Sequence, residues 1–252
     1  MNRNESFAAP DVGTLAVRLA WASAEIITDD VEDLLIHVAG DDHDVSELKI
    51  TLQEGRLVIE QPTYGLSIHQ LHSERWMQLL IRIPRSWKGA VDANTITAAL
   101  KVRGISGSDI TLDSVSGSVQ AAALTSITTT LRTVSGSISL SGGCGEKLSL
   151  RTVSGSINAD GAAYDAYRVN TVSGDASLAL EQPFTQLEGV SVSGRIRVYA
   201  PMDRVDAVLR SVSGRLRTSG VSIQPDAPKA SVSAVSGDFE INCSLAATIE
   251  EE

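Results

Sequence analysis

The sequence predicts an all-β protein: a single-stranded parallel β-helix, or solenoid, with 19–20-residue coils and a β-rich N-terminal capping region. Three observations predict it. Val-Ser-Gly recurs seven times, with glycines at 117, 136, 155, 174, 194, 214 and 237, spaced 19, 19, 19, 20, 20 and 23 residues apart. A period that regular marks a stacked array of identical units. Aligned on that glycine, equivalent positions keep one chemical character. Two residues later stand Val119, Ile138, Ile157, Ala176, Ile196, Leu216 and Phe239, and five residues earlier Leu112, Leu131, Leu150, Val169, Gly189 and Leu209. These two rows are the expected interior. Composition agrees: aromatics are 4% while Val, Ile, Leu, Ser, Thr and Gly dominate, which suits thin β layers better than a large globular core. A right-handed coil follows from the general handedness of parallel crossovers.

In chain order, residues 1–12 read as a tail and 13–104 as a strand-rich region capping and leading into the solenoid. Residues 105–246 are the solenoid, 247–252 an acidic tail, and the whole is one continuous unit. Leu15, Val17, Leu19 and Trp21 alternate with Ala16, Arg18 and Ala20, the period of a half-buried strand. Further strands are expected over 25–28, 34–38, 48–52 and 56–60. Asp29, Asp30, Glu32 and Asp33, then Asp41, Asp42 and Asp44, fall in the turns between them. They lack calcium-loop spacing and read as solvated charges. Residues 63–73 read as a connection carrying His69 and His72, a pair without a third ligand or a helix to support a zinc site. Residues 77–84 are a strand ended by Pro84, 86–89 a turn, and 91–104 the lead into the repeats.

Ser106-Gly107 lies ten residues before Gly117, about half a period, so each coil is expected to hold two extended runs on opposite sides. At about 3.3 Å per residue a coil has a perimeter of roughly 65 Å, and seven coils about 4.8 Å apart reach roughly 35 Å. The odd spacing between the two apolar rows requires a corner or bulge across Arg-Thr-Val. Ser141–Glu146, rich in glycine, is the turn on the other side. Ser stands before every repeat glycine, and Ser114, Thr133, Thr152, Thr171, Ser191, Ser211 and Ala234 stand three before it. Stacked hydroxyls there are expected to bond from coil to coil, with glycine admitting a corner conformation. The 23-residue last interval contains Pro225 and Pro228 and reads as a surface loop, after which residues 239–246 close the end.

Chemistry-bearing clusters are few. Arg195 and Arg215 share one repeat position and Arg197 and Arg217 another, so four guanidinium groups are expected to cluster as an anion or partner patch. Asp175, Asp238 and Glu240 flank them and would neutralise the charge locally. All four histidines, His37, His43, His69 and His72, precede the repeats, and no nucleophile elbow or catalytic carboxylate pair stands out. No catalytic, metal or cofactor site is assigned. Cys144 and Cys243 sit in different repeats and define neither a disulfide framework nor a metal spacing. The net charge of −10 argues against nucleic acid as a partner. No run reaches the roughly 20 apolar residues of a membrane span, and the first residues do not have the form of a signal peptide. A cytoplasmic protein is expected, reaching the membrane only through partners.

The serial Val-Ser-Gly-Ser-Ile units, preceded by short strands and by Leu80-Ile81-Arg82-Ile83-Pro84, resemble the bacterial adhesin-like β-strand-repeat family, the Toastrack domain. The resemblance spans roughly residues 13–245. It implies a single-stranded β-helix-like fold and an association with bacterial envelope-stress systems, beside membrane proteins or their regulators. The expected function is a non-enzymatic scaffold or protein-interaction module. The alternative is an adhesin-like module that binds glycan or envelope polymer; a carbohydrate-active enzyme ranks last. An antiparallel meander is the rival architecture, since every second strand there repeats at the same interval.

Overall fold

The computed structural model describes residues 1–62 and 76–244. The chain winds as a parallel β-solenoid, and its central coils establish the rule. In β11 (Val119–Thr133), β12 (Ile138–Arg151) and β13 (Ile157–Thr171), Ile138 lies between Val119 and Ile157, and Leu150 between Leu131 and Val169. Both apolar rows point inward. Val119, Ile138, Ile157, Ile196 and Phe239 are all fully buried. Parallel strands with both edges paired and one face in the core are what these β-branched rows favour.

Each central coil has three extended runs, where two were expected. Pairing between β11 and β12 covers 119–122, 124–126 and 128–132 and breaks at Ala123 and Ile127. The first break is a left-handed corner shared by Gly104, Ala123, Gly142 and Gly161, with φ of +72°, +51°, +67° and +68°. The glycine-rich segment at 141–146 supplies this corner, as its composition suggested. The Val-Ser-Gly corner works differently from the expectation, for its glycines do not have positive φ. Instead each is pressed against the coil below: a Cβ on Gly155 would stand 1.7 Å from the Gly136 carbonyl oxygen, and one on Gly174 1.8 Å from that of Gly155. Glycine is required by the close stacking of backbones.

The solenoid extends below the recognisable repeats. β8 (Ala90–Thr95) and β9 (Leu100–Arg103) form a coil under β10 (Ser106–Ser114) and the start of β11. Beneath it lie β2 (Thr14–Leu19) and β3 (Ser23–Asp29), and beneath those β6 (Arg56–Glu60) and β7 (Met77–Pro84). The chain's first coil therefore sits between its second and third.

The head of the stack is closed by antiparallel strands. β4 (Leu34–Gly40) pairs with β7, β1 (Asn2–Phe7) with β4, and β5 (Lys49–Gln53) with β6. Residues 2–7, expected in a tail, are thus a paired strand. The acidic stretch at 42–47, expected as a turn, is a short helix, α1 (Asp42–Glu47), which tucks Val45 into the core, followed by buried Leu48. Trp87, in the expected turn, is buried and donates its indole N–H to the Val12 carbonyl at 2.5 Å.

The other end departs most from the expected order. β14 (Ala176–Leu180) and β15 (Gln186–Ser191) stack on β13, and β16 (Ile196–Ala200) on β14. The next coil in space is β20 (Lys229–Ala234) with β21 (Phe239–Cys243), the last in sequence. Beyond it lies β17 (Arg204–Ser211) with β18 (Leu216–Ser219), and β19 (Ser222–Ile223) pairs with the start of β17. Residues 239–243 therefore do not close the end. The long last interval is the return crossing that carries the chain back over its terminal coil. Gly189 helps to admit the inserted coil: a Cβ there would lie 2.8 Å from Val232 Cγ2.

Candidate functional site

The repeated hydroxyls come first, because a row of serines and threonines invites a catalytic reading. Thr133, Thr152, Thr171 and Ser191 are buried and each accepts the N–H of the glycine three residues on, at 3.0, 3.0, 3.0 and 2.8 Å. The hydroxyl then donates to a glycine carbonyl. Thr133 reaches Gly117 of the coil below at 3.2 Å, whereas Thr171 and Ser191 turn to Gly174 and Gly194 of their own corner at 2.8 and 3.0 Å. Both hydrogen-bonding roles are taken up in holding the corner, so these hydroxyls are structural.

The same corner turns its valine outward. Val115, Val134, Val172, Val192, Val235 and Val212 are between 42% and 86% exposed, and Ile96 continues the row. The result is an apolar ridge one side chain wide along most of the solenoid, edged by the exposed serines that follow each valine. Sequence alignment identified the repeat but not this projection. A signal was present: Thr95-Ile96-Thr97-Ala98 stands 19 residues before Ser114-Val115-Ser116-Gly117 and is a degenerate copy of it.

The four arginines do not form a cationic cluster. The coil inserted between their two rungs places Asp238 between Arg195 and Arg215, and Glu240 between Arg197 and Arg217. Glu240 lies 3.5 Å from Arg195, 3.1 Å from Arg197 and 3.1 Å from Arg217, and Arg217 is 3.9 Å from Asp238. Asp175 and Asp238 also accept the backbone N–H of Arg195 and Arg215. Charges alternate along each row, in place of the adjacent arginines that sequence order implied.

A polar group lies inside the solenoid. Ser126 and Thr129 hydroxyls are 2.6 Å apart, Thr129 is 3.0 Å from the Tyr164 hydroxyl, and Tyr167 donates to the Ala162 carbonyl at 3.0 Å while accepting the Tyr164 N–H at 2.8 Å. Burial pushes both tyrosine hydroxyls above their ordinary range. All four side chains are buried, and their hydroxyls are engaged with one another or with the backbone, so this is a hydrogen-bonded core that fills a corner.

His37 lines a shallow surface depression of about 460 Å³ with Asn4, Ser6, Leu35, Leu80 and Arg82, its Nδ1 2.5 Å from Asn4 Oδ1. His69 and His72 lie outside the described residues. Among the described residues, no three His, Cys, Asp or Glu side chains converge as metal ligands, and no helix is long and apolar enough to cross a membrane. Cys144 and Cys243 are not joined in a disulfide.

This architecture is shared with solved proteins. A crystal structure from Parabacteroides distasonis described as a "putative lipid binding protein" is 16% identical and superposes with a TM-score of 0.62, covering 95% of this chain and 96% of that one. A "putative adhesin" from the same species is 13% identical, with a TM-score of 0.60 over 96% and 97% of the two chains. One from Bacteroides fragilis is 12% identical, with a TM-score of 0.59 and coverage of 96% and 97%. At these identities the likeness concerns the fold. No curated protein matches the chain. The profile of the family described as Toastrack DUF4097 matches residues 15–242, nearly the whole solenoid. The chain, with its stacked Val-Ser-Gly corners, belongs to the Toastrack family.

Proposed function

We propose that the protein is a non-enzymatic scaffold and protein-interaction module of a bacterial cell-envelope stress response, held at the membrane from the cytoplasmic side by a membrane-associated regulator. The observation that carries this reading is the valine ridge. The repeat engages its hydroxyls within the corner and projects an exposed apolar side chain from most of its coils, a surface suited to an extended protein partner. The envelope setting rests on the family resemblance. The test replaces Val134, Val172 and Val192 together with Asp and measures capture of membrane-associated regulators after cross-linking in native cells. Loss of capture with an unchanged circular dichroism spectrum is expected; undiminished capture removes the ridge from the function. Arg195→Ala with Arg215→Ala is expected to leave every captured partner in place, because Asp238 and Glu240 alternate with the arginine rungs and neutralise them locally.

A second reading, binding of glycan or envelope polymer, is favoured by the adhesin descriptions of two of the similar structures. Selective retention on a glycan array that the same valine changes abolish would replace the first reading.

A further inference from the structure

The two ends of the solenoid are finished differently. At the head, antiparallel strands and α1 cover the core, and Leu57, Ile59 and Val45 are fully buried. At the tail, the inward rows open to solvent. Leu209 and Leu216 are only partly buried and Thr218 is exposed, although their ladder neighbours Val232, Phe239 and Ile241 are at most 1% exposed. Among the described residues, β18 has a partner on one side only, and β17 is covered on its outer side by β19 only at Arg204 and Val205. The outer edge of residues 206–211 is therefore an unpaired template.

We propose that this tail edge is a homodimer interface, in which β17 pairs antiparallel with β17 of a second copy about a two-fold axis at Val208. Backbone polarity selects the register. Asp206 N–H points inward, to the Pro228 carbonyl, whereas the Val205 carbonyl points outward and accepts from Gln224 N–H. By strand alternation, Ala207 and Leu209 direct both their N–H and C=O groups outward. A two-fold at Val208 sets Ala207 opposite Leu209 of the other copy, so that the pair exchanges both hydrogen bonds, once on each side of the axis. The side chains agree with that register. Val208, 42% exposed on the outer face, meets its own counterpart. Asp206 comes opposite Arg210 of the second copy, and Arg210 opposite Asp206, so the edge is complementary in charge to itself. Closure of the head blocks head-to-tail growth and leaves this closed pair as the outcome.

Sedimentation equilibrium tests the proposal on the full chain. The protein is expected to dimerise, Asp206→Arg and Arg210→Asp singly each to weaken the dimer by about tenfold, and the two together to restore it. In a Cys144→Ser, Cys243→Ser background, Val208→Cys is expected to form a disulfide-linked dimer on mild oxidation, since cross-strand partners at such a site stand about 4.5 Å apart. A monomer at about 100 µM, where a small interface of this kind still associates, overturns the proposal. So does a dimer indifferent to both charge changes. If removal of residues 245–252 is needed before dimers form, the edge belongs to the chain's own C-terminal segment and the proposal fails for the intact protein.

Discussion

Gly155 and Ala123 occupy two corners of adjoining coils and call for opposite substitutions. At Gly155 the backbone conformation is open to any residue, but a Cβ would stand 1.7 Å from the Gly136 carbonyl oxygen. Gly155→Ala is expected to cost about 2–3 kcal/mol, the scale of overpacking in a close-packed interior. At Ala123 there is a left-handed φ of +51° in a row otherwise made of glycine at 104, 142 and 161. Ala123→Gly is expected to stabilise by about 0.5–1 kcal/mol, the relief of left-handed strain less the entropy of an added glycine. Urea unfolding of both variants checks the pair of signs. The repeat alignment exposed the need for glycine in the first row. It could not show which glycines answer to stacking and which to φ, because that difference lies in what sits beneath each residue.

The coil formed by β20 and β21 shows how an element finds its place out of sequence order. Its acidic side chains Asp238 and Glu240 enter between two arginine-bearing rungs, and its Val232 lies against the space left by Gly189. Stacking the coils in sequence order would instead set Arg195 against Arg215 and Arg197 against Arg217. Glu240→Lys is expected to destabilise the protein by about 2 kcal/mol, since the three partly exposed pairs of Glu240 with Arg195, Arg197 and Arg217, worth up to roughly 1 kcal/mol each, turn repulsive. Amide exchange should localise the loss to residues 204–243. The 23-residue interval and its prolines signalled an irregularity at this point. They carried no information on whether the chain loops outward or crosses back, because a connection's length does not state which gap it spans.

On the scale of the whole molecule, the first and last coils of the chain each lie one place in from an end of the stack. The coil of β17 and β18 is held to the rest only through the inserted β20 and β21 among the described residues. Its protection must therefore disappear with theirs. Hydrogen exchange followed by mass spectrometry is expected to show residues 204–219 and 229–243 opening together as one cooperative unit, separate from the central coils. Earlier opening of 229–243 with 204–219 still protected would contradict the stacking order.

The periodic glycines, the two apolar rows and the hydroxyls three residues before six of the seven repeat glycines pointed from sequence alone to a β-solenoid, and the parallel registers of the central coils set aside the antiparallel meander, whose alternate strands would repeat at the same interval. The strands expected over 34–38, 56–60 and 77–84 were legible as local alternation or an apolar run ended by proline, the first extending to Gly40 in the structure. Tertiary structure decided what periodicity does not encode: the order of the terminal coils, the pairing of the four arginines with Glu240 and Asp238, and the outward projection of the valines. Each of these depends on which coil lies next in space, and main-chain hydrogen bonding between parallel strands accepts any neighbour whose side chains and charges fit.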